Sequence, residues 1–529
     1  MSKIVLAYDV GTTGLKACLF RISSEDSVRF IDGEVESYAL HVLENGGAEQ
    51  DPEDWWSAIA ESTKKLLQRT KISSEEIGGI SFCSQAQAVV MVDADGNALR
   101  PCMSCMDTRA AKQFDEGMRR GLKVEGISLH RLLRFLHITG AVSASDKDPL
   151  WKYLWVKENE PDIFARTHKW LDVKEYLTSR ATGSMTASQD DACVTFLYDV
   201  KHQCWSRELC RMFGIDMKHL PDICKATDVV GTLRESVAQE LGLRAGTPVL
   251  AGGADYSLCQ VGAGSLELGD VNVYSGTSGW VCTTVDRLHL DINSIIAGLV
   301  SADPNSYVYM AEIETSGKCM EWVKDRYGIP ELDYDDMIDY IADVPAGSNG
   351  VMFTPWIHGN RCPFEDSNAR GIFFNIGNIN RGSDLVKSVI EGICLHMRWM
   401  LTESEKTFKT TKTVRFSGGS AIAPYICQVL ADVLNRPVEV VENPRLVGAM
   451  GAAALLAVHF EMVKDIKDVK RIIRVAATYT PNPENTGVYD KMFPVFTSLY
   501  YNNKRAFAAL NGPDGIKRVD TAYAHTAKP

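Results

Sequence analysis

Residues 1–20 read MSKIVLAYDVGTTGLKACLF. Residues 4–8 are a continuous apolar run, the pattern of a strand buried on both faces. Residues 16–20 repeat it. Between them lie Asp9 and the small-residue turn Gly11-Thr12-Thr13-Gly14, which is turn chemistry. The glycine-rich turn therefore joins strand to strand. A Walker loop opens a helix and ends in Gly-Lys-Ser/Thr, and this turn does neither. Asp9 has two readings. It can stabilise the turn through its own side chain, or ligate Mg²⁺ beside a phosphate-binding turn, because Mg²⁺ takes one or two carboxylates plus substrate phosphates. The small-residue turn, with no basic residue between Asp9 and Lys16, favours the second.

The same pattern returns in VNVYSGTSGWVCTTV, residues 271–285, where Gly276-Thr277-Ser278-Gly279 again sits between two apolar runs. The offset from Gly11 to Gly276 is 265 residues, half of the 529-residue chain. Four matching residues say little alone. Their placement in the same strand–turn–strand setting at the midpoint predicts two related domains, each offering a small-residue turn. Two such turns facing across a cleft can hold a polyphosphate through backbone N–H and hydroxyl groups.

Between and beyond these turns, strand and helix patterns alternate. Residues 51–67 open with an acidic first turn and an early proline and carry apolar residues at helical spacing. Residues 77–92 read as strand. Residues 149–157 and 172–179 read as helices. A strand at 247–251 leads through Gly252-Gly253 to a helix beginning near Asp255. A long helix is expected at 385–401, a strand at 414–416, a Gly418-Gly419 turn, a helix at 424–434 opened by Pro424, a strand at 437–441, and a helix at 448–458 rich in Gly and Ala. The tail after about residue 510 is polar and expected to be loosely held. This is an α/β reading with two layered domains, set at 1–263 and 264–529. Length alone allows roughly two to four domains.

Composition narrows the class. Apolar residues make up 45% and charged residues 23%, ordinary for a globular protein. The net charge is −12, from 56 basic and 68 acidic residues, with no basic stripe of the kind nucleic acid requires. An anionic ligand stays open, because backbone amides hold phosphates without net positive charge. Fourteen cysteines are too sparse for a disulfide scaffold. Cys102 and Cys105 form a C-x-x-C without a second pair at zinc spacing, and read as buried reduced thiols. The start is no signal peptide, and no apolar run approaches the ~18 residues of a membrane span. A reduced, cytoplasmic protein is expected.

Two further stretches carry chemistry. In VLAGGADYSLCQVGAG, Asp255 follows a strand and a glycine pair and opens a helix. A helix N-terminus favours the ionised carboxylate. Such a group can take a proton from a substrate hydroxyl or bind Mg²⁺, or serve only as an N-cap. The stretch alone leaves these open. In RFSGGSAIAPYICQVLADVL, Gly418 and Gly419 either leave room for a planar ring against the backbone or form an ordinary strand–helix turn.

Together these stretches resemble the FGGY carbohydrate kinases, a branch of the actin–hexokinase superfamily. LAYDVGTTGLKACLF is similar to the family's first phosphate loop. AEQDPEDWW resembles the EQDP-x-x-WW segment of its xylulokinase branch. RPCMSCMDTRA is similar to the following D-x-R element, and DPLWKYLWVKENEP to the first signature. GGADYS occupies the slot of the catalytic aspartate, YSGTSGW that of the second phosphate loop. IHGNRCPFEDSNARGIFFNI is similar to the G-E-R-x-P region, and FSGGSAIAPYICQVLADVLNRPV to the adenosine motif. The resemblance runs nearly the whole length, in order.

The resemblance implies two ribonuclease-H-like domains around a cleft for ATP and a sugar. It implies Asp255 as general base, with Asp9 and Asp255 near Mg²⁺. Gly11, Thr12, Thr13, Lys16, Gly276, Thr277 and Ser278 would hold phosphates. Gly418, Gly419 and Ser420 would line adenosine. Gln85, Ala86, Gln87, Asp107 and Tyr256 would face the sugar. Similarity is greatest to the xylulokinase branch, so the expected reaction is ATP-dependent phosphorylation of D-xylulose. That branch typically has Q-M-H-G where this chain has Gln85-Ala86-Gln87-Ala88, and Asn after the catalytic aspartate where this chain has Tyr256. Asn360 replaces the acid of G-E-R-x-P. A site built for one hydroxyl pattern rejects another, so ribulokinase-, gluconokinase- or autoinducer-kinase-like activity are the alternatives. From another class stands an actin-like assembly or chaperone ATPase, which has no need of Asp255 or of the DPEDWW and DPLWKYLW elements. A sugar sensor without turnover is a third alternative, opposed by the survival of Asp9, Asp255 and both turns. The expected partners are ATP and a small-molecule sugar, not nucleic acid or membrane; a homodimer is left open.

Overall fold

A computed structural model describes residues 2–24, 27–119, 121–124, 126–327, 333–512 and 515–516. Most of the tail after residue 510, expected to be loosely held, lies outside the described residues. The opening apolar runs form the antiparallel hairpin Ser2–Val10 and Gly14–Ser23, with Asp9 directly opposite Lys16. Val28–Ser37 adds a third antiparallel strand. On the other side of Ser2–Val10 run Ile77–Ser84 and then Pro248–Leu250, both parallel. Val229–Thr232 closes that edge, and the short Gly253–Ala254 strand also lies on Ile77–Ser84.

The second sheet repeats this wiring. Val271–Ser275, Gly279–Val285 and Tyr307–Ile313 are consecutive and antiparallel. Val414–Ser417 and Val438–Val441 follow in parallel on the far side of Val271–Ser275. Val475–Tyr479 caps that edge, and Ile296–Val300 and Leu290–Asp291 cap the other. The turns at 11–14 and 276–279 therefore occupy the same corner of two like-wired sheets. This is the actin/hexokinase-type α/β architecture expected from the chain.

The helices follow their punctuation. Pro52–Thr70 starts where the Asp51 side chain accepts the Glu53 N–H, with Pro52 in the first turn, and ends at Lys71 in the left-handed region. Pro424–Leu434 begins at its proline and stops at left-handed Asn435. Two helices sit between the sheets. Asp255–Gly262 and Val447–His459 cross closely: a Cβ on Gly262 would overlap the Val447 carbonyl oxygen, and one on Gly451 the Leu258 carbonyl oxygen. They join Val5, Ala7 and Cys18 of the first sheet to Trp280, Cys282 and Val308 of the second in one apolar cluster. Val447–His459 comes late in the chain yet packs on the first sheet's strands. A helix from the second half of the chain thus packs within the core of the first sheet.

Other cores flank the centre, one of them around Tyr8, Trp55 and Trp56 on the first sheet. Another surrounds Trp151, Tyr153 and Trp170. A third surrounds Trp356 and Trp399 beneath the Pro483–Asn511 helix. All fourteen cysteines are unpaired. Among the described residues no helix is long and apolar enough to cross a membrane.

Candidate active site

The parallel strands of the first sheet end together. Asp9 is level with Cys83, and Cys83 with Gly253. Asp9, the turn after it, the 85–87 turn and Asp255 consequently emerge at one carboxyl edge, where open α/β sheets bind ligands. The corresponding corner of the second sheet faces them across a cleft of about 2230 Å³. Single small-molecule sites run to roughly 1,000 Å³, so this space suits two ligands side by side.

The first turn is held from behind. Gly11 N–H donates to Gly14 O at 2.9 Å, the Tyr38 hydroxyl to Gly11 O at 2.5 Å, and Gln50 Nε2 to Thr12 O at 2.8 Å. With its carbonyls tied back, the turn carries Gly11, Thr12 and Thr13 into the cleft lining. Lys16 Nζ donates to Asp9 Oδ2 at 2.7 Å, a cross-strand ion pair. Burial works against the ammonium, but Asp9, together with Tyr274 and Cys259, holds Lys16 above its ordinary value. The lysine thereby fixes the Asp9 carboxylate. Gly448 lets that carboxylate lie close: a Cβ there would be 3.0 Å from Asp9 Cγ and from Cys83 Sγ.

The second turn is closed by Gly276 N–H to Ser278 O at 3.0 Å and receives Gly317 N–H at Gly276 O, 2.7 Å. Ser275 Oγ lies 2.7 Å from both Ser316 Oγ and Ser420 Oγ. This hydroxyl chain ties the turn to the adenosine motif. Ser420 is thus used inside the wall while lining the cleft. Gly418 and Gly419 separate in role. Gly418, at φ 93°, lies against the Ser275 backbone and outside the lining. Gly419 has open space where a Cβ would stand and faces the cleft.

Asp255 opens its helix at the cleft floor, with Oδ1 accepting the Tyr256 N–H at 2.7 Å. The expectation that the helix end keeps this carboxylate readily ionised is corrected. Burial pushes Asp255 up to about 7, and Asp9, Asp191 and Glu312 add repulsion, while the Tyr256 N–H pulls the other way. A proton affinity near neutrality suits a general base.

Gln85, Ala86 and Gln87, expected to face the sugar, line the cleft. Gln85 Nε2 donates to Gln50 Oε1 at 2.8 Å, and its Oε1 is buried without a partner. Gln87 sits at φ 66°, a sparsely populated region for a non-glycine residue. Its carbonyl accepts the buried Lys152 ammonium at 2.6 Å. Tyr256 reaches the lining, but its hydroxyl donates to Val300 O at 2.8 Å, bridging towards the second sheet. Tyr256, expected to face the sugar, has its hydroxyl committed to the main chain. Asp107 is fully buried, with its oxygens on Arg109 and the Ala48 N–H. It orders the loop before the cleft and lies outside the lining. Asn360 is likewise structural, donating to Cys362 O and Phe364 O at 2.9 Å.

Sequence reasoning gave no role to Glu312, Arg361, Trp280 or Gly448. Arg361 Nη1 lies 3.1 Å from Glu312 Oε2, and both line the cleft with Asp148, Glu314, Glu365 and Lys147. Burial raises Glu312 and Glu365, and pushes Asp148 up to about 6. Arg361 stood inside the quoted G-E-R-x-P-like stretch; Glu312 left no motif. Cys105 lines the cleft and Cys102 is buried; burial pushes both thiols up. Among the described residues no group of three or more His, Cys, Asp or Glu forms a metal site.

Residues 4–262 match the N-terminal domain, and residues 271–460 the C-terminal domain, of the FGGY family of carbohydrate kinases. The chain belongs to this family. It is a carbohydrate kinase. The chain is 28% identical over 514 residues to a xylulose kinase of Bacillus subtilis, covering 96% of this chain and 99% of that one. It is 24% identical over 509 residues to a gluconokinase of the same organism, covering 94% and 96%. Its fold matches a ligand-bound xylulose kinase from Lactobacillus acidophilus with TM-score 0.84, at 24% identity over 96% of this chain and 99% of that chain. Plasmodium falciparum glycerol kinase with ADP matches at 0.79, with 18% identity over 96% and 98%.

Proposed function

We propose that this kinase transfers the γ-phosphoryl group of Mg·ATP to a hydroxyl of a neutral ketose or sugar alcohol, with D-xylulose as acceptor and D-xylulose 5-phosphate as product. The observation that carries the reading is Asp255, a carboxyl group with proton affinity near neutrality on the floor of a cleft flanked by two small-residue turns. Phosphoryl transfer asks the protein mainly for positioning and charge stabilisation. Asp255 takes the proton of the attacking hydroxyl. Thr12, Thr13, Thr277 and Ser278 hold phosphate oxygens from both walls.

The donor set fits Mg·ATP. Gly419 leaves room for a ring. Tyr425 and Trp280 line the cleft, and the Tyr425 hydroxyl and Trp280 Nε1 are buried in its wall without partners. Asp9, braced by Lys16, would hold Mg²⁺ with substrate phosphates, which requires only one or two carboxylates. Mg²⁺ when bound would neutralise charge on the transferring phosphates. An ATP-using enzyme with fourteen unpaired cysteines fits a reducing, cytoplasmic setting.

The choice of acceptor rests on similarity and on charge. The xylulose kinase relative points to a ketose, the gluconokinase to a sugar acid. Asp148, Glu312, Glu314 and Glu365 join Asp255 against Arg361 and Lys147 along one stretch of the lining. That excess of acid repels a carboxylate substrate and favours the neutral one. The test is ADP release with Mg·ATP and D-xylulose, L-xylulose, D- and L-ribulose, glycerol, erythritol, gluconate and L-fuculose, with Asp255→Asn beside the wild type. Preference for D-xylulose, lost in the variant, supports the reading. Best turnover on gluconate overturns the neutral acceptor. Full activity in Asp255→Asn overturns the base.

A further inference from the structure

Beneath the cleft lies a group of charged side chains that the reaction does not use: Asp172, Lys174, Glu175, Asp190 and Asp191. All are buried, Lys174 at 1% and Asp190 at 0% exposure. Lys174 Nζ contacts Glu175 Oε1 at 2.6 Å and Asp191 Oδ2 at 2.9 Å. One ammonium is thus paired directly with two of the four carboxyls. Burying such groups costs several kcal/mol per ion, so the cluster is expensive to keep for fold alone. Glu175 Oε2 and Asp191 Oδ1 have no partner. A cavity of about 20 Å³ is lined by Asp172, Glu175 and Asp191, which is room for about one water.

Two members reach out of the cluster to the cleft floor. Asp190 Oδ2 accepts the Ala254 N–H at 2.9 Å, one residue before Asp255, while Ser188 Oγ donates to Oδ1 at 2.5 Å. Gly253 makes the approach possible, because a Cβ there would lie 2.5 Å from Asp190 Oδ2. Asp172 accepts the Ala88 N–H on both oxygens at 3.2 Å, one residue after Gln87. Asp172 and Lys174 lie on either side of the start of the Val173–Thr182 helix, and Asp190 and Asp191 open the Gln189–Val194 helix. The sugar-facing turn and the turn bearing the base are therefore hydrogen-bonded to the same charged group.

We propose that this cluster is a positioning device: Asp190 sets the backbone that aims Asp255, Asp172 sets the backbone that presents Gln85–Gln87, and Lys174, paired with Glu175 and Asp191, ties together the two helix starts from which these arms extend. The proposal rests on Asp255 being the base and on the 85–87 turn facing the acceptor. Burial and mutual repulsion push Asp172 well up, Glu175 to about 7 and Asp190 to about 6, so the cluster keeps protons that offset its surplus of acid.

The arms have separable effects. A misplacement of about 1 Å costs roughly 100-fold in rate, so Asp190→Ala is expected to lower kcat about 10- to 100-fold with the KM for Mg·ATP within about twofold. Asp190→Asn keeps an acceptor for the Ala254 N–H and is expected to restore kcat to within about threefold of wild type. Asp172→Ala is expected to raise the acceptor KM about tenfold with little change in kcat. Ser188→Ala removes one support of Asp190 without burying a new charge, and gives a smaller kcat loss in the same direction. These are measured with Mg·ATP and the best acceptor of the panel above. Hydrogen exchange of peptides 249–258 and 85–92, read without any ligand, should quicken in Asp190→Ala and Asp172→Ala respectively. Wild-type kcat and unchanged 249–258 exchange in both Asp190→Ala and Ser188→Ala overturn the proposal. So does a loss in Asp190→Ala that Asp190→Asn fails to restore. Activity in Asp255→Asn overturns the base reading instead, and leaves the exchange result to decide the tether.

Discussion

Asp255 and Asp9 are both aspartates at strand ends, and their surroundings divide the work between them. Asp9 has a lysine at 2.7 Å; Asp255 has burial and three nearby acids, and rises to about 7. A base works only when deprotonated. The phosphorylation rate should therefore climb with pH through about 7, and a pH–rate profile from 5.5 to 9 checks this. Asp255→Asn should lose roughly 100- to 10,000-fold in rate, with no such limb in what remains. The stability effect has the opposite sign. Between about 4 and 7 the folded protein holds a proton on Asp255 that the unfolded chain has released, so this group's contribution declines as pH rises across that window. Gly448 belongs to the same scale. Its missing Cβ leaves space for the Asp9 carboxylate, so Gly448→Ala should raise the KM for Mg·ATP several-fold while kcat falls less, measured by ADP release. Asp9 and Asp255 stood out as acids beside small residues at strand ends, but the Asp255 stretch alone left its role open, and only the family resemblance set both acids at one cleft. The separation of Gly418 from Gly419 was not legible, since it depends on the distant Ser275 backbone. Nor was the loss of Tyr256's hydroxyl to Val300, a contact 44 residues away.

At the scale of elements, punctuation decides what a sequence reveals. Pro424 opens its helix as expected, the helix ends at the expected residue 434 through left-handed Asn435, and the glycine turns bound both hairpins. The Pro483–Asn511 helix was not anticipated, because Gly487 and the internal Pro494 interrupt the pattern that marks a helix. Tertiary packing supplies what propensity lacks there: Tyr489, Phe496, Leu499 and Phe507 are buried. The Val447–His459 helix was legible as a helix, and its Gly and Ala content as a sign of close packing, but its partner was not. The partner is the helix that carries Asp255. Since a Cβ on Gly451 would overlap the Leu258 carbonyl oxygen, and backbone cannot rotate away as a side chain can, Gly451→Ala must push the helices apart. Overpacking of this kind costs about 1–3 kcal/mol, occasionally more. A drop of that size in urea unfolding, with kcat falling as Asp255 shifts, is expected. Unchanged stability would mean that the two helices do not meet at this crossing.

At the scale of the whole molecule, the repeat of a four-residue turn at half the chain length proved to be a repeat of sheet wiring. Three antiparallel strands followed by two parallel ones recur in both halves. The pairing of the halves was beyond the sequence, because the helix joining them to one core comes from residues 447–459. That joint also says how the cleft should move. The two sheets meet at the crossed helices, where Tyr256 Oη bonds Val300 O at 2.8 Å and Ser257 Oγ accepts the Ala302 N–H at 2.6 Å. These bonds run from the helix that carries Asp255 to the second sheet, so rotation of one sheet against the other pivots close to Asp255 and moves the two glycine turns most. Closure is needed because water in an open cleft competes for the phosphoryl group. With D-xylulose and a non-hydrolysable Mg·ATP analogue together, the radius of gyration by small-angle scattering should fall, and each ligand alone should produce a smaller change. Binding should also stabilise the fold by about 2.7 kcal/mol at a hundredfold excess over Kd, read as a rise in Tm. Asp255→Asn should close and stabilise like the wild type, since it removes a proton acceptor and not a wall. A rise in Tm with no change in scattering would leave a cleft that binds without closing, and the exclusion of water would then have to come from the ligands alone.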